Sequence, residues 1–148
     1  MNQSSIVACS NCGTRNRLHA TAAGAPHCGS CGRPLPWLVD ASEESFEAAV
    51  ERSPLPTLVD FWAPWCGPCR MVEPVVRRMS TDLAGRLKVV RVNSDEAPGL
   101  SRRFQILGIP TLMLFDRGQV RDRVTGAIDA ARMRAWLDPL VAATRRTA

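Results

Sequence analysis

Two cysteines with two residues between them, Cys66-Gly67-Pro68-Cys69, stand between an apolar run, Thr57 to Trp62, and a stretch whose apolar residues recur at helical spacing: Met71, Val72, Val75, Val76 and Met79. That order constrains the chain more than any other feature. A strand ends, the backbone turns at once, and a helix begins at Cys66 or just after it. A cysteine at a helix N-terminus faces unpaired backbone N–H groups and the positive end of the macrodipole, which favours its thiolate and makes it a nucleophile near neutral pH. The second cysteine lies one turn deeper, placed to close on the first and expel whatever has bonded to it. The same spacing can also supply half of a zinc site. Redox chemistry is the better reading, because Pro68 falls in the first helical turn, where its missing N–H is not needed, and the apolar strand in front marks a βα unit rather than a zinc knuckle.

The other four cysteines form a different pattern. Cys9-Ser10-Asn11-Cys12 and Cys28-Gly29-Ser30-Cys31 are separated by fifteen residues, the spacing of a four-thiolate Zn2+ site. Gly13 and Gly32 follow the second cysteine of each pair, where glycine tolerates the tight turn that points N–H groups at the sulfurs. Residues 1–36 are small and polar and could not bury a core unaided, so an ion is expected to order them. Extra redox pairs or reversible disulfides are the alternatives, but neither pair follows an apolar strand or precedes a helical pattern. His19 and His27 are not needed as ligands, since four cysteines complete the set. Arg15, Arg17 and Arg33 are expected to offset part of the negative charge of four thiolates on one divalent ion. Pro34-Leu35-Pro36 has the composition of a short stiff linker, dividing the chain into 1–36 and 37–148.

At 148 residues the chain is long enough for one well-buried domain and a small appendage. Its longest clean apolar run, Thr111 to Phe115, is far short of a bilayer span, so no membrane role is expected. Ile6-Val7-Ala8 is too short for the apolar core of a secretion signal. A cytoplasmic address is the default expectation, and six cysteines there are expected to be catalytic or metal-bound rather than structural disulfides. The net charge of +5 is uneven: three arginines and no acid fall in residues 1–36, leaving 16 basic and 14 acidic residues beyond. A surface so nearly balanced gives no reason to expect nucleic acid as a partner.

From Trp37 onward strands and helices alternate. Trp37 to Val39 predicts a strand, and Ser42 is placed to cap a helix whose apolar side includes Phe46, Ala49 and Val50. Thr57 to Trp62, apolar on both faces apart from Asp60, predicts a central strand. Cys66 to about Leu83 predicts a helix kinked at Pro74. Leu87 to Val92 reads as a strand and Glu96 to Phe104 as a short helix weakened at Pro98-Gly99. Thr111 to Phe115 and Gln119 to Thr125 predict a hairpin joined through Asp116-Arg117-Gly118. Met133, Trp136, Leu137, Leu140 and Val141 make the stripe of a final helix. The order β-α-β-α-β-α-β-β-α predicts an α/β fold, a mixed central sheet flanked by helices.

Trp62-Ala63-Pro64-Trp65-Cys66-Gly67-Pro68-Cys69 resembles the active site of the thioredoxin family. The similarity runs from about Trp37 to Ala143, with Asp60 before the motif and Ile109-Pro110-Thr111, Gly118 and Gly126 after it in the family's order. With the four N-terminal cysteines, the chain is most similar to the zinc-binding bacterial type, a thioredoxin fold preceded by a small zinc-ribbon-like module. The resemblance implies a protein-disulfide reductase in which Cys66 attacks and Cys69 resolves the mixed disulfide. It implies disulfide-containing protein substrates and an NADPH-dependent thioredoxin reductase as partners. The chain carries no nicotinamide or flavin motif, so no bound organic cofactor is expected beside Zn2+, and a monomer is expected. Gly67-Pro68 is the pair of reductant members of the family rather than of oxidising relatives with His at the second position.

Asp60 lies six residues before Cys66. Burial raises a carboxyl pKa, which suits a proton acceptor for Cys69; the residue types alone also allow a solvated strand end or a turn cap, and the resemblance favours the acceptor. Where the commonest family pattern has a lysine near this acid, this chain has Arg91, whose guanidinium stays charged. Ile109-Pro110 resembles the family's cis-proline loop, which faces the two sulfurs and pairs an extended substrate strand with the Ile109 backbone. An ordinary trans proline at an edge strand is the alternative. Trp62 is expected beneath the site and Trp65 exposed to partners, with Gly67 and Pro68 among the substrate-facing residues. Gly126 is expected to admit close approach of a peptide, Gly118 to serve the hairpin turn, and Arg70 to add positive potential near the thiolate. Two further functions fit parts of the pattern: a scaffold whose N-terminal module binds protein or nucleic acid, and a sensor in which oxidation of Cys9, Cys12, Cys28 and Cys31 expels zinc. The intact Cys66/Cys69 pair argues against the scaffold, which does not require both thiols.

Overall fold

The structure is a computed structural model that describes residues 4–19 and 24–146. Strands β1 (Ser4–Ala8) and β2 (Arg15–His19) pair as an antiparallel hairpin apart from the main sheet. The main sheet contains β3 (Trp37–Asp40), β4 (Thr57–Trp62), β5 (Lys88–Asn93), β6 (Thr111–Asp116) and β7 (Gln119–Thr125), laid out β3-β5-β4-β6-β7. The helices are α1 (Gly67–Asp82), α2 (Pro98–Arg103) and α3 (Ala130–Arg146). β4 runs parallel to β5 and antiparallel to β6, so the sheet is mixed and β4 is central, as its two-sided apolar pattern predicts.

Each of β4, β5 and β6 is buried along its length apart from its last residue. Alternation then sorts the side chains into two layers. Leu58, Val89, Leu112 and Leu114 meet Val72, Val76 and Met79 of α1 and Met133, Leu137 and Val141 of α3. Val59, Phe61, Val90, Val92, Met113 and Phe115 face the opposite layer with Trp37, Phe46 and Leu100. There the rings of Phe46, Phe61, Phe104 and Phe115 pack with centroids 5.4 to 6.2 Å apart. Asp60 shares the parity of Leu58, which aims its carboxyl at the α1 side. The β6–β7 hairpin closes in two residues, Arg117 (φ 53°) and Gly118 (φ 80°); two successive positive φ values define a turn whose twist matches the strands.

Three local expectations need correction. The helix anticipated after Ser42 is a π-helical turn at Glu47–Glu51, with Arg52 N–H on Glu47 O at 2.9 Å; Ser42 Oγ instead accepts Ser45 N–H in the preceding turn. The buried Lys88 Nζ donates to Ala49 O at 2.6 Å, taking a carbonyl an α-helix would use. The helix anticipated from Glu96 to Phe104 is split: a 3-10 turn at Ser94–Glu96 ends at Ala97, and Pro98 opens α2, a first-turn position where proline has no N–H to waste. The third concerns the N-terminal region, where the hairpin is a strand pair that composition did not announce. Cys9, Leu18, Cys28 and Leu35 belong to the same buried cluster as Trp37 and Val39, and Ser5 Oγ donates to Leu38 O of β3 at 3.4 Å. Leu35 is 1% exposed and Pro36 is buried, whereas Pro34 is exposed, so the second half of Pro34-Leu35-Pro36 is packed down instead of running free as a spacer.

Candidate active site and metal centre

β4 ends at Trp62, and Ala63-Pro64-Trp65 turns the chain into α1. Cys66 caps that helix in an extended conformation (φ −89°, ψ 112°), with Pro68 in the first turn. Its Sγ accepts the Cys69 N–H at 3.1 Å, and the Cys66 N–H bonds Ala63 O at 3.2 Å. A backbone donor and the helix end together favour negative charge on that sulfur. The two sulfurs are joined as a disulfide whose Cα atoms are 5.3 Å apart. Cys66 is 4% exposed and Cys69 1%, whereas Trp65, Gly67 and Pro68 around them are open to solvent.

The Ile109–Pro110 bond is cis, and the Ile109 carbonyl oxygen lies 3.8 Å from Cys66 Sγ. Gly126 N–H donates to Pro110 O at 2.8 Å. Gly126 has φ 100°, and a Cβ there would meet nothing within 4 Å, so its backbone borders open space. The fold thus brings Cys66, Ile109, Pro110 and Gly126 into one patch. Trp65, 69% exposed, is steadied by Asp95, whose carboxylate accepts the indole N–H at 3.0 Å. Arg70 donates to Pro64 O at 2.8 Å, bracing the turn. Asp95 is a site residue that sequence reasoning does not single out; only the 3-10 turn after β5 carries it to Trp65.

Asp60 is fully buried. Arg91 Nε donates to its Oδ2 at 3.3 Å, and its Oδ1 has no hydrogen-bond partner among the described residues. Burial pushes the Asp60 carboxyl up to about 6; Arg91 opposes that rise, and Glu73 adds to it. Arg91 also donates to Glu73 Oε1 at 2.8 Å and lies over the Trp62 ring, 4.3 Å from its centroid. Trp62 therefore packs on the cation beside Asp60. Sequence reasoning does not single out Glu73, which stands four positions after Cys69 on the same helical face.

In the N-terminal region the Sγ atoms of Cys9, Cys12, Cys28 and Cys31 all lie within 4.8 Å of one another. The two knuckles repeat one geometry: Gly13 N–H on Cys9 O at 2.8 Å and Gly32 N–H on Cys28 O at 2.9 Å, with φ 77° and 78°. Across the knuckles Cys9 and Cys31 stand 3.6 Å apart and Cys12 and Cys28 3.5 Å. Ser30 N–H and Asn16 Nδ2 point at Cys28 Sγ from 3.4 and 3.7 Å, and backbone donors from Cys31 and Ser30 lower that thiol to about 6. Arg17, expected to offset the sulfurs' charge, donates to Ser4 Oγ; neutral side chains reach the sulfurs instead, Asn16 at Cys28 and Thr14, whose Oγ1 accepts from Cys12 Sγ at 3.2 Å. Four sulfurs so gathered can hold one metal ion.

A disulfide whose first cysteine caps a helix, with that sulfur beside the Ile109 carbonyl, is built for thiol–disulfide exchange, and the fold and site together define a thiol–disulfide oxidoreductase. The thioredoxin family model matches residues 37–139. The chain is 50% identical over 97 residues to a thioredoxin of Synechocystis sp., covering 66% of this chain and 91% of that one. It is 45% identical over 101 residues to a thioredoxin of Allochromatium vinosum, covering 68% and 94%, and 41% identical over 87 residues to the chloroplastic thioredoxin M4 of Arabidopsis thaliana, covering 59% and 45%. This chain belongs to the thioredoxin family. It is a protein-disulfide reductase carrying a four-cysteine cluster of the kind found in zinc-binding variants. Thioredoxins act on disulfide-containing proteins and are reduced in turn by thioredoxin reductase. Among the described residues no helix is long and apolar enough to cross a membrane.

Proposed function

We propose that the Cys66 thiolate attacks a disulfide of a partner protein, breaking its S–S bond and forming a mixed disulfide while the partner's departing sulfur takes up a proton. Cys69 then gives its proton to Asp60 and attacks the Cys66 sulfur. The second partner sulfur leaves as a thiolate that takes up a proton from solvent, and two electrons have passed from the dithiol to the substrate. An NADPH-dependent thioredoxin reductase restores the dithiol. Trp65, Gly67, Pro68, Ile109, Pro110 and Gly126 form the cradle for an extended substrate segment, which would pair with main-chain groups and read few side chains. The reading is carried by the Cys69 N–H on Cys66 Sγ at 3.1 Å, a donor that supports a sulfur anion at that position.

The four-cysteine cluster is a Zn2+ site in this reading. Tetrahedral zinc with sulfur ligands at about 2.3 Å spaces those sulfurs by roughly 3.8 Å, close to the 3.6 and 3.5 Å seen across the knuckles. The burial of Cys9, Leu18, Cys28 and Leu35 against Trp37 supports a structural role over a free recognition module. Residues 1–36 would form the zinc module and 37–148 the thioredoxin domain of a cytoplasmic monomer.

The test is trapping. With a disulfide-bearing protein substrate, Cys66→Ser is expected to lose turnover, and Cys69→Ser to accumulate a covalent complex that dithiothreitol releases. A complex formed equally well by Cys66→Ser would assign the attack to the wrong sulfur.

A further inference from the structure

Arg91 reaches from β5 to two carboxylates, and the second, Glu73, has no part in the exchange steps above. The shorter bond goes to this outer acid: 2.8 Å to Glu73 Oε1, against 3.3 Å to Asp60 Oδ2. Glu73 sits on α1 four residues after Cys69, where a helix places two side chains on one face. Its side chain is 38% exposed and also receives Arg77 at 3.3 Å. Stacked over Trp62, the guanidinium spends Nε on Asp60 and NH1 on Glu73, and Asp60 Oδ1 has no donor among the described residues. β6 presents apolar Leu112 at the register of Asp60, β3 places Asp40 beside Arg91, and Asp40 and Glu96 line the open cavity that Arg91 and Trp62 also border.

From this geometry we infer that Glu73 is a positioning residue: by holding one arm of Arg91 and cancelling part of its charge, it weakens the cation's hold on the buried Asp60 carboxylate. A guanidinium that gave both arms to Asp60 would hold it firmly as a carboxylate. A neighbouring anion on the same cation weakens that grip. The opposing influences of Arg91 and Glu73 on Asp60 have the signs this requires. The consequence for catalysis rests on Asp60 being the proton acceptor; the link between Glu73 and Asp60 does not.

The experiment follows the Asp60 carboxyl carbon by NMR through a pH titration of the oxidised chain, in wild type, Glu73→Gln and Glu73→Ala. Glu73 is half-exposed, so both variants retain the fold. The Asp60 midpoint is expected to fall by about half a pH unit or more in both. Glutamine keeps an acceptor for Arg91, so equal shifts identify charge as the cause. A midpoint unmoved in both variants overturns the inference. The pH profile of Cys69 attack on a trapped mixed disulfide is read in parallel. A rate profile that moves with the carboxyl upholds both the link and the acceptor role. A carboxyl that moves while the rate profile stays put upholds the link and removes Asp60 from the proton transfer.

Discussion

Arg91 Nε lies 3.3 Å from Asp60 Oδ2, with side chains 9% and 0% exposed, yet the carboxyl is pushed up to about 6 rather than down. Desolvation outweighs a cation that is shared with Glu73 and that leaves Oδ1 without a partner among the described residues. A carboxyl whose folded pKa exceeds its unfolded value near 3.9 contributes stability that is complete below that unfolded value and is lost as pH rises through about 6. At pH 7.5 the buried charge is therefore a burden. Asp60→Asn is expected to be more stable than wild type there by about 2 to 3 kcal/mol, and the gap should close below pH 4. Urea unfolding of both chains at the two pH values measures it; equal stabilities at pH 7.5 would contradict the burial argument.

The same variant reports on the chemistry. If Asp60 receives the Cys69 proton, resolution of a mixed disulfide in wild type should accelerate as pH rises through about 6, the range in which the carboxyl becomes a base. Asp60→Asn should lose that rise and run slower by roughly tenfold or more at pH 7. Stopped-flow release of a fluorescent thiol from the mixed disulfide separates this step from the first attack, which should be little changed.

Much of the sheet and the exchange site was legible in the sequence because the physics there is local. Thr57 to Trp62 is apolar on both faces apart from Asp60, which fits a short strand buried on both sides, and β4 spans those same residues. The helix start could be read from Cys66 and Pro68 because capping and first-turn rules act within a few residues. What escaped depends on partners distant in sequence. The π-helical turn follows from Lys88 reaching Ala49 O across 39 residues, and the Trp65–Asp95 bond from a separation of 30. The N-terminal hairpin was hidden because Leu18 and Leu35 look too sparse to form a core; they join one already built around Trp37.

Asp95 fixes the position of Trp65. Its carboxylate accepts the indole N–H of an otherwise exposed Trp65, restricting where that ring lies beside Cys66. An exposed hydrogen bond to a charged acceptor stabilises by only about 1 kcal/mol, so Asp95→Ala should fold normally. Its effect should be on substrate capture: a KM for protein disulfides raised about two- to fivefold by loss of that bond, with kcat close to wild type. Steady-state kinetics with one protein substrate checks it, and a lowered kcat at unchanged KM would place Asp95 in the chemistry instead.

Because Cys9 and Cys28 lie in the same buried cluster as Leu18, Leu35, Trp37 and Val39, the metal centre and the sheet are expected to unfold together. Removing the proposed Zn2+ would leave four thiols at close quarters with nothing to hold the knuckles closed, and the hairpin would then lose its grip on the edge strand β3. Chelation under reducing conditions should lower the midpoint of a single thermal transition, detected both by far-UV circular dichroism and by near-UV signal from the tryptophans. Leu18→Ala separates packing from ligation: it keeps all four sulfurs, so one zinc per chain should remain, while the truncated core contact costs about 2 to 4 kcal/mol. Two resolved transitions after chelation, the upper one at the wild-type midpoint, would show that the N-terminal region contributes nothing to the stability of the sheet.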